Sequence, residues 1–242
     1  AFGAPSRKDI FHVDWDVSAA EKGGFEHFMM KEIMEQPRAL QETLRPRIKG
    51  GRIDLSELEL GNDWLKGLSA IHIVACGSAY HAGRLGKNLL EMSVRIPVTV
   101  EIASEFRYSD PILAPDQLVV LVSQSGETAD TIAALREAKR QGVKTLAVVH
   151  VVGSTIAREA DHVLYTWAGP EIAVATTKAF TAQVAALVLL AGYIAQERGS
   201  VYVSRLPALA DALLKLPEVA HRVLDDHSRI QYLASLYFNH GD

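Results

Sequence analysis

Val119-Val120-Leu121-Val122-Ser123-Gln124-Ser125-Gly126-Glu127-Thr128-Ala129-Asp130-Thr131 is the stretch from which the fold of this chain is read. The apolar run Leu118 to Val122 is too short and too β-branched for a helix, and it reads as a buried parallel strand. It breaks into hydroxyl, amide and glycine residues. From Glu127 onward Ile132, Leu135 and Ala138 recur at helix-face spacing. A strand that ends in a polar turn and feeds a helix N-terminus makes an anion site, because the first-turn N–H groups lack partners and the helix dipole favours negative charge there. Ser123, Ser125 and Thr128 add hydroxyls, with Thr131 a further candidate, and Gly126 is expected to let a ligand reach the backbone. A simple N-cap serine would account for one or two hydroxyls; the surplus favours the anion site. With no lysine and no match to GxxxxGK[ST], a single phosphate on a small polar molecule is expected rather than a nucleotide triphosphate.

Working outward, further strands are expected at Ala70–Ala75, Val98–Ile102, Lys144–His150 and His162–Tyr165, with helices between them. This alternation predicts right-handed βαβ crossovers and an α/β fold, a five-stranded parallel sheet with helices on both faces. Ligands bind such sheets at the carboxyl ends of strands where the strand order reverses, and both Cys76–Ala79 and Ser123–Thr128 sit at strand ends. Before the first strand a helix is expected from about Phe25 to Pro37. Pro37 suits the first turn of a second helical segment, which runs through Leu40 and Leu44 and ends before Pro46. After the fifth strand a long apolar helix reaches about Arg198, and two more follow, Ser204 to Asp225 and Asp226 to Phe238. Residues 1–16 read as a linker or tail, 17–200 as the ligand-binding domain, and 201–242 as helices leading onward.

The 242 residues, 48% hydrophobic and 22% charged, are enough for a substantial core without covalent staples. A net charge of −4 with no basic run argues against a nucleic-acid surface or a membrane patch. The single cysteine, Cys76, excludes an internal disulfide and suits a reducing compartment, so a cytoplasmic location is expected. The apolar helix near Val184–Ala195 is interrupted by Gly192 and Tyr193 and reads as core.

Three motifs stand in order: Cys76-Gly77-Ser78-Ala79, Ser123-Gln124-Ser125-Gly126-Glu127-Thr128 and Val174-Ala175-Thr176-Thr177-Lys178-Ala179-Phe180-Thr181. Together they resemble the sugar isomerase (SIS) domain, a phosphosugar-binding, flavodoxin-like three-layer α-β-α sandwich, here with extra helices at both ends. The stretch Ala20-Glu21-Lys22-Gly23-Gly24-Phe25-Glu26-His27-Phe28-Met29, with Lys31-Glu32-Ile33 and Glu35-Gln36-Pro37, is similar to the opening of the isomerase domain in the glucosamine-6-phosphate synthase family. That family transfers ammonia released from glutamine onto fructose 6-phosphate and isomerises the product to glucosamine 6-phosphate.

The resemblance implies a sugar-phosphate pocket and no cofactor. Ser123, Gln124, Ser125 and Thr128 match the family's phosphate and sugar-oxygen ligands. Ser78 matches a threonine that lines the pocket, and Val174 and Thr176 match a segment that contacts the sugar through backbone or hydroxyl groups. Gly77, Ala79 and Lys178 are further candidates; Ala79 stands where some members have serine. The family's glutaminase domain has no counterpart here, and its isomerase base, ring-opening histidine and working lysines lie in a second SIS half that this chain is expected not to reach. The resemblance therefore implies a hexose 6-phosphate grip without acid–base machinery, with no catalytic residue in this chain, binding without turnover, and the glutaminase domain and second SIS half as partners within a parent protein.

Other residues read less sharply. Cys76 is expected as a structural buried thiol. Lys178 suits a phosphate or Schiff-base lysine and a structural cation equally. His72 and His81 lack metal-ligand spacing, and with no HExxH or CxxC no metal site is expected. Glu127 is explained by the helix dipole, and Glu57, Glu59 and Asp63 by solvated surface. A non-catalytic phosphosugar sensor is the competing class; it predicts an effector region such as a helix-turn-helix and a basic face, neither of which is evident. Leu206, Leu209, Leu213, Leu214, Leu216, Leu224, Ile230, Leu233 and Leu236 give the last helices apolar faces that must be buried on this domain or a neighbouring chain, and a homodimer is expected.

Overall fold

A computed structural model describes residues 21–241. The linker expected at 1–16 and Ala20 of the opening motif lie outside the described residues. The described chain opens with helices α1 (Phe28–Met34) and α2 (Gln36–Leu44), the latter carrying Pro37 in its first turn, where a missing N–H costs nothing. A small hairpin, β1 (Ile48–Lys49) with β2 (Arg52–Ile53), follows and was not evident in the sequence. Helix α3 (Asn62–Gly67) leads into the α/β unit: β3 (Ala70–Ala75), α4 (Gly77–Val94), β4 (Val98–Ile102), α5 (Ala103–Phe106), β5 (Gln117–Ser123), α6 (Ala129–Arg140), β6 (Lys144–Val149), α7 (Thr155–Glu159) and β7 (His162–Tyr165). Helices α8 (Lys178–Arg198), α9 (Leu206–Asp225) and α10 (Ser228–Tyr237) complete the description.

The five-stranded sheet runs β4-β3-β5-β6-β7, every pair parallel. Its order reverses between β3 and β5: from β3 the chain crosses outward to β4, then returns to lay β5 on the other side of β3. The crevice beyond the carboxyl ends of β3 and β5 is thus the switch point of the sheet.

Side-chain alternation divides the core into two faces. Ile71, Ile73, Leu118, Val120, Val122, Leu146 and Val148 pack with Leu90 of α4 and Leu187 and Leu190 of α8. Val74, Val119, Leu121, Ala147 and Val149 point the opposite way, against Phe106 of α5, Leu135 of α6 and Ile156 of α7. The result is the expected three-layer sandwich. Gly86 lets α4 lie close on α8, since a Cβ there would stand 2.8 Å from Leu187 Cδ1.

Helix α8 is long and apolar enough to cross a membrane by length and composition, but 72% of that apolar window is buried inside the protein, as the core reading expects. Helix α9 packs on α2 and on strand β2 of the hairpin, burying Leu206, Ala210 and Leu213. Helix α10 buries none of its residues, so Ile230, Leu233 and Leu236 stay exposed. Glu57 is exposed, as expected, and it also serves a buried partner. It accepts from the buried guanidinium of Arg47, Nε to Oε1 at 2.9 Å, while Arg47 Nη1 donates to the Thr43 carbonyl at 3.1 Å. Exposed itself, it neutralises a charge that is not.

Candidate functional site

At the switch point three chain segments enclose a cavity of about 500 Å3. The β3–α4 junction contributes Cys76, Gly77, Ser78 and Ala79; the end of β5 and its turn contribute Val122, Ser123, Gln124, Ser125 and Thr128; the approach to α8 contributes Val174, Ala175 and Thr176, with Gln183 from α8 itself. The structure thus brings together Ser78, Ser123, Gln124, Ser125, Thr128, Val174 and Thr176, along with Gly77 and Ala79. Lys178 is placed elsewhere. It is 2% exposed and donates from Nζ to Glu35 Oε2 at 2.6 Å, tying α8 to the junction of α1 and α2.

The turn after β5 is held by its own hydroxyls. Ser123 is buried, and its Oγ accepts the Gly126 N–H at 3.1 Å and shares a proton with Thr128 Oγ1 at 3.2 Å. Ser125 Oγ accepts the Glu127 N–H at 3.2 Å, leaving its O–H to donate outward. These bonds keep residues 124–128 out of the helix, which begins at Ala129 with Thr128 as its N-cap, two residues later than the sequence pattern indicates. Helix α4 starts at Gly77, and no side chain caps either helix at its N-terminus. The first-turn N–H groups of α4 and α6 are therefore available, and both helix dipoles add positive potential at the same crevice.

Four expectations change here. Gly126, with φ of +65°, was expected to admit a ligand to the backbone; instead a Cβ there would collide with Ser154, lying 2.6 Å from Ser154 Cβ and closer still to Oγ. Thr131 is fully buried beneath α6, away from the cavity, with no partner for its hydroxyl among the described residues. Glu127 acts on the neighbouring helix: its Oε1 accepts the Thr155 N–H at the start of α7 at 2.7 Å. That backbone bond, with help from the Thr155 hydroxyl, holds its carboxyl below the usual glutamate range. Cys76, expected as a buried thiol, is half-buried and forms part of the cavity wall at the N-cap of α4.

The third wall is positioned by carboxylates that local sequence reasoning missed. Glu32 of α1, 1% exposed, accepts the N–H groups of Ile172 at 2.6 Å and Ala173 at 3.1 Å. Glu171 accepts the Thr176 hydroxyl at 2.7 Å and the N–H groups of Thr177 and Ala179 at 2.9 and 3.2 Å, capping α8. The proton of the Thr176 hydroxyl is thereby committed, and Val174 is fully exposed, so its contact with a ligand would come from the backbone. His150 Nδ1 lies 2.7 Å from the Thr166 carbonyl, at the base of the same connection, and burial lowers its pKa. The partners of Glu32 are about 140 residues away, a pairing no local pattern signals. Glu32→Ala is expected to leave two N–H groups without an acceptor, cost about 2 kcal/mol, and speed hydrogen exchange at Ile172 and Ala173. Unchanged exchange at those two amides would show that Glu32 does not hold this wall.

No lysine, arginine, histidine, aspartate or glutamate lines the cavity among the described residues. Its chemistry is that of neutral donors around two helix N-termini, which suits an anion held by hydrogen bonds and dipoles. Apart from the Cys76 thiol, its lining holds no titratable side chain among the described residues that could move a proton to or from carbon. Among the described residues no group of three or more potential metal-binding side chains is found.

Comparison with known proteins places this geometry. The SIS domain model matches residues 68–192. The glutamine–fructose-6-phosphate aminotransferase (isomerizing) of Clostridium tetani is 50% identical over 234 residues, 96% of this chain and 38% of that protein. The enzyme of the same name from Caldanaerobacter subterraneus subsp. tengcongensis is 51% identical over 242 residues, 100% of this chain and 40% of its own length. Among solved structures, the C-terminal domain of glucosamine-fructose-6-phosphate aminotransferase from Francisella tularensis superposes with a TM-score of 0.86 at 35% identity, covering 90% of this chain and 62% of that one. The chain thus spans about two fifths of the length of these enzymes.

Proposed function

The chain belongs to the SIS domain family, and we propose that its switch-point cavity binds a hexose 6-phosphate, with fructose 6-phosphate the natural ligand, as the substrate-holding part of a glutamine–fructose-6-phosphate aminotransferase. The observation that carries this reading is the convergence of two uncapped helix N-termini, those of α4 and α6, on one cavity lined by Ser78, Ser123, Ser125 and Thr128. A phosphate offers acceptor oxygens to those N–H and O–H donors, and the two dipoles favour its charge without a lysine. Gln124 and the 174–176 backbone are left for the sugar oxygens.

Ammonia transfer and ketose-to-aldose isomerisation need a base over the reacting carbons, and the lining of this cavity holds no carboxylate, imidazole or amine among the described residues. In the parent protein those groups would come from a second SIS half, and ammonia from a glutaminase domain. The exposed apolar residues of α10 and the outer side of α9 suit contact with that second half or with another copy of this chain, in a cytoplasmic homodimer.

Calorimetric titration tests the reading. Fructose 6-phosphate is expected to bind more tightly than inorganic phosphate, and Ser125→Ala to weaken both by about fivefold, the loss of one hydrogen bond to a charged ligand. Glucosamine 6-phosphate should not form when the chain is supplied with fructose 6-phosphate and ammonia. A chain that binds neither ligand, or that turns fructose 6-phosphate over by itself, would contradict the proposal.

A further inference from the structure

Gln183 is a polar side chain whose surroundings explain neither its chemistry nor its place. It sits in the second turn of α8, between the core residues Ala182 and Ala185, and is 2% exposed. Its neighbours on that helix are almost all apolar, and the pattern alone would put an alanine or leucine there. Neither its Nε2 nor its Oε1 is hydrogen-bonded to another described residue, and neither is sealed off from accessible space. With so little of the residue exposed, the amide opens into the cavity that it lines. A buried amide without a partner is costly, and such groups are found where a ligand or an ordered water completes them.

We propose that Gln183 is a selectivity residue for the sugar portion of the ligand, hydrogen-bonding a hydroxyl of the polyol chain rather than the phosphate. This rests on the hexose 6-phosphate reading above and deepens it. The chemistry separates the two ends of such a ligand. A phosphate dianion only accepts hydrogen bonds, and the hydroxyls of the Ser123–Thr128 turn with the N–H groups at the N-termini of α4 and α6 can meet it as donors. A primary amide offers a donor and an acceptor side by side, and an acceptor facing a phosphate is unfavourable. A hydroxyl, which donates and accepts at once, satisfies both atoms. Gln183 also stands on α8, a different element from those that carry the hydroxyl turn and the two helix starts. A ligand that meets both the turn and Gln183 is best served by two different groups, a phosphate for the first and a hydroxyl for the second, which a hexose 6-phosphate carries and inorganic phosphate does not.

Gln183→Met, close in shape but without the amide, isolates this contact. It is expected to bind fructose 6-phosphate about tenfold more weakly than the unmodified chain while binding inorganic phosphate equally well. Its ligand-free melting temperature should equal or exceed that of the unmodified chain, because a desolvated amide has been removed. A merely structural glutamine would give the reverse: a lower melting temperature and no change in selectivity. Gln183→Asn keeps the amide but shortens its reach, and should likewise lose sugar-phosphate affinity alone, which guards against a folding defect in the methionine variant. If the unmodified chain binds fructose 6-phosphate selectively and both variants bind it equally well, the assignment of Gln183 is overturned while the sugar-phosphate reading stands. If the unmodified chain binds neither ligand, the reading itself falls and the assignment with it.

Discussion

Gly126→Ala is expected to destabilise the protein by about 2–4 kcal/mol and to abolish sugar-phosphate binding. Two independent costs act at this position. Its φ of +65° is left-handed backbone, where a Cβ costs of order 1 kcal/mol. The added Cβ would also meet Ser154, 2.6 Å from its Cβ and nearer still to Oγ. Ser154 cannot readily give way, because it is 3% exposed and is the N-cap residue of α7, and Ile156 of that helix donates its N–H to the Gly126 carbonyl at 3.0 Å. The strain is relieved only by moving residues 124–128, which breaks the bond from Gly126 N–H to Ser123 Oγ that shapes the hydroxyl turn. Urea denaturation and calorimetry on the variant measure the two effects. Replacing Ser154 by glycine in the same background removes the clashing atoms and should recover the part of the stability not due to φ. If Gly126→Ala alone melts and binds like the unmodified chain, the turn tolerates rearrangement and its geometry does not define the site.

The second large effect is expected at Glu35. Lys178 is 2% exposed, and its ammonium is held by Glu35 Oε2 at 2.6 Å. Glu35→Ala would leave that cation buried without this carboxylate, at a cost of about 3 kcal/mol. The low end for a buried pair applies because the Glu35 side chain is 27% exposed, so water can reach its partner. Adding Lys178→Met should restore much of the loss, since it removes the buried cation that has lost its carboxylate. This double-mutant comparison separates structural from ligand-binding roles of the lysine. A structural cation predicts that the double variant still binds fructose 6-phosphate. Lost binding with recovered stability would place Lys178 in the ligand's reach instead.

Much of this architecture is legible in the chain because its causes are local. Ala70–Ala75, Val98–Ile102 and His162–Tyr165 are short β-branched runs bounded by polar breaks, and the strands form over those residues. The position of the crevice follows from the same alternation, since parallel strands joined by helices put every strand end that feeds a helix on one edge. What escapes is set by distance along the chain. Nothing local marks the roles of Glu32, Glu35 and Glu171, which arise only when tertiary packing brings them to Ile172, Lys178 and the start of α8. The β1–β2 hairpin holds only two residues per strand, too few to show alternation. Gln183 hides in a helix whose apolar composition announces only burial. Helix α6 starts late because Ser123, Ser125 and Thr128 spend their hydroxyls on the turn, a competition that helix-face spacing does not register.

The same turn is where the account is most exposed to test. Backbone amide chemical shifts of the isotopically labelled chain, followed while fructose 6-phosphate is added, report directly on which N–H groups meet the ligand. The predicted result is saturable shifts at Ser78, Ala79, Gln124 to Thr128 and Ala129, the turn and the two helix starts that face the cavity. A saturable response centred elsewhere, such as the groove between α2 and α9 lined by Pro37, Gln41 and Leu214, or no response at all, would contradict it.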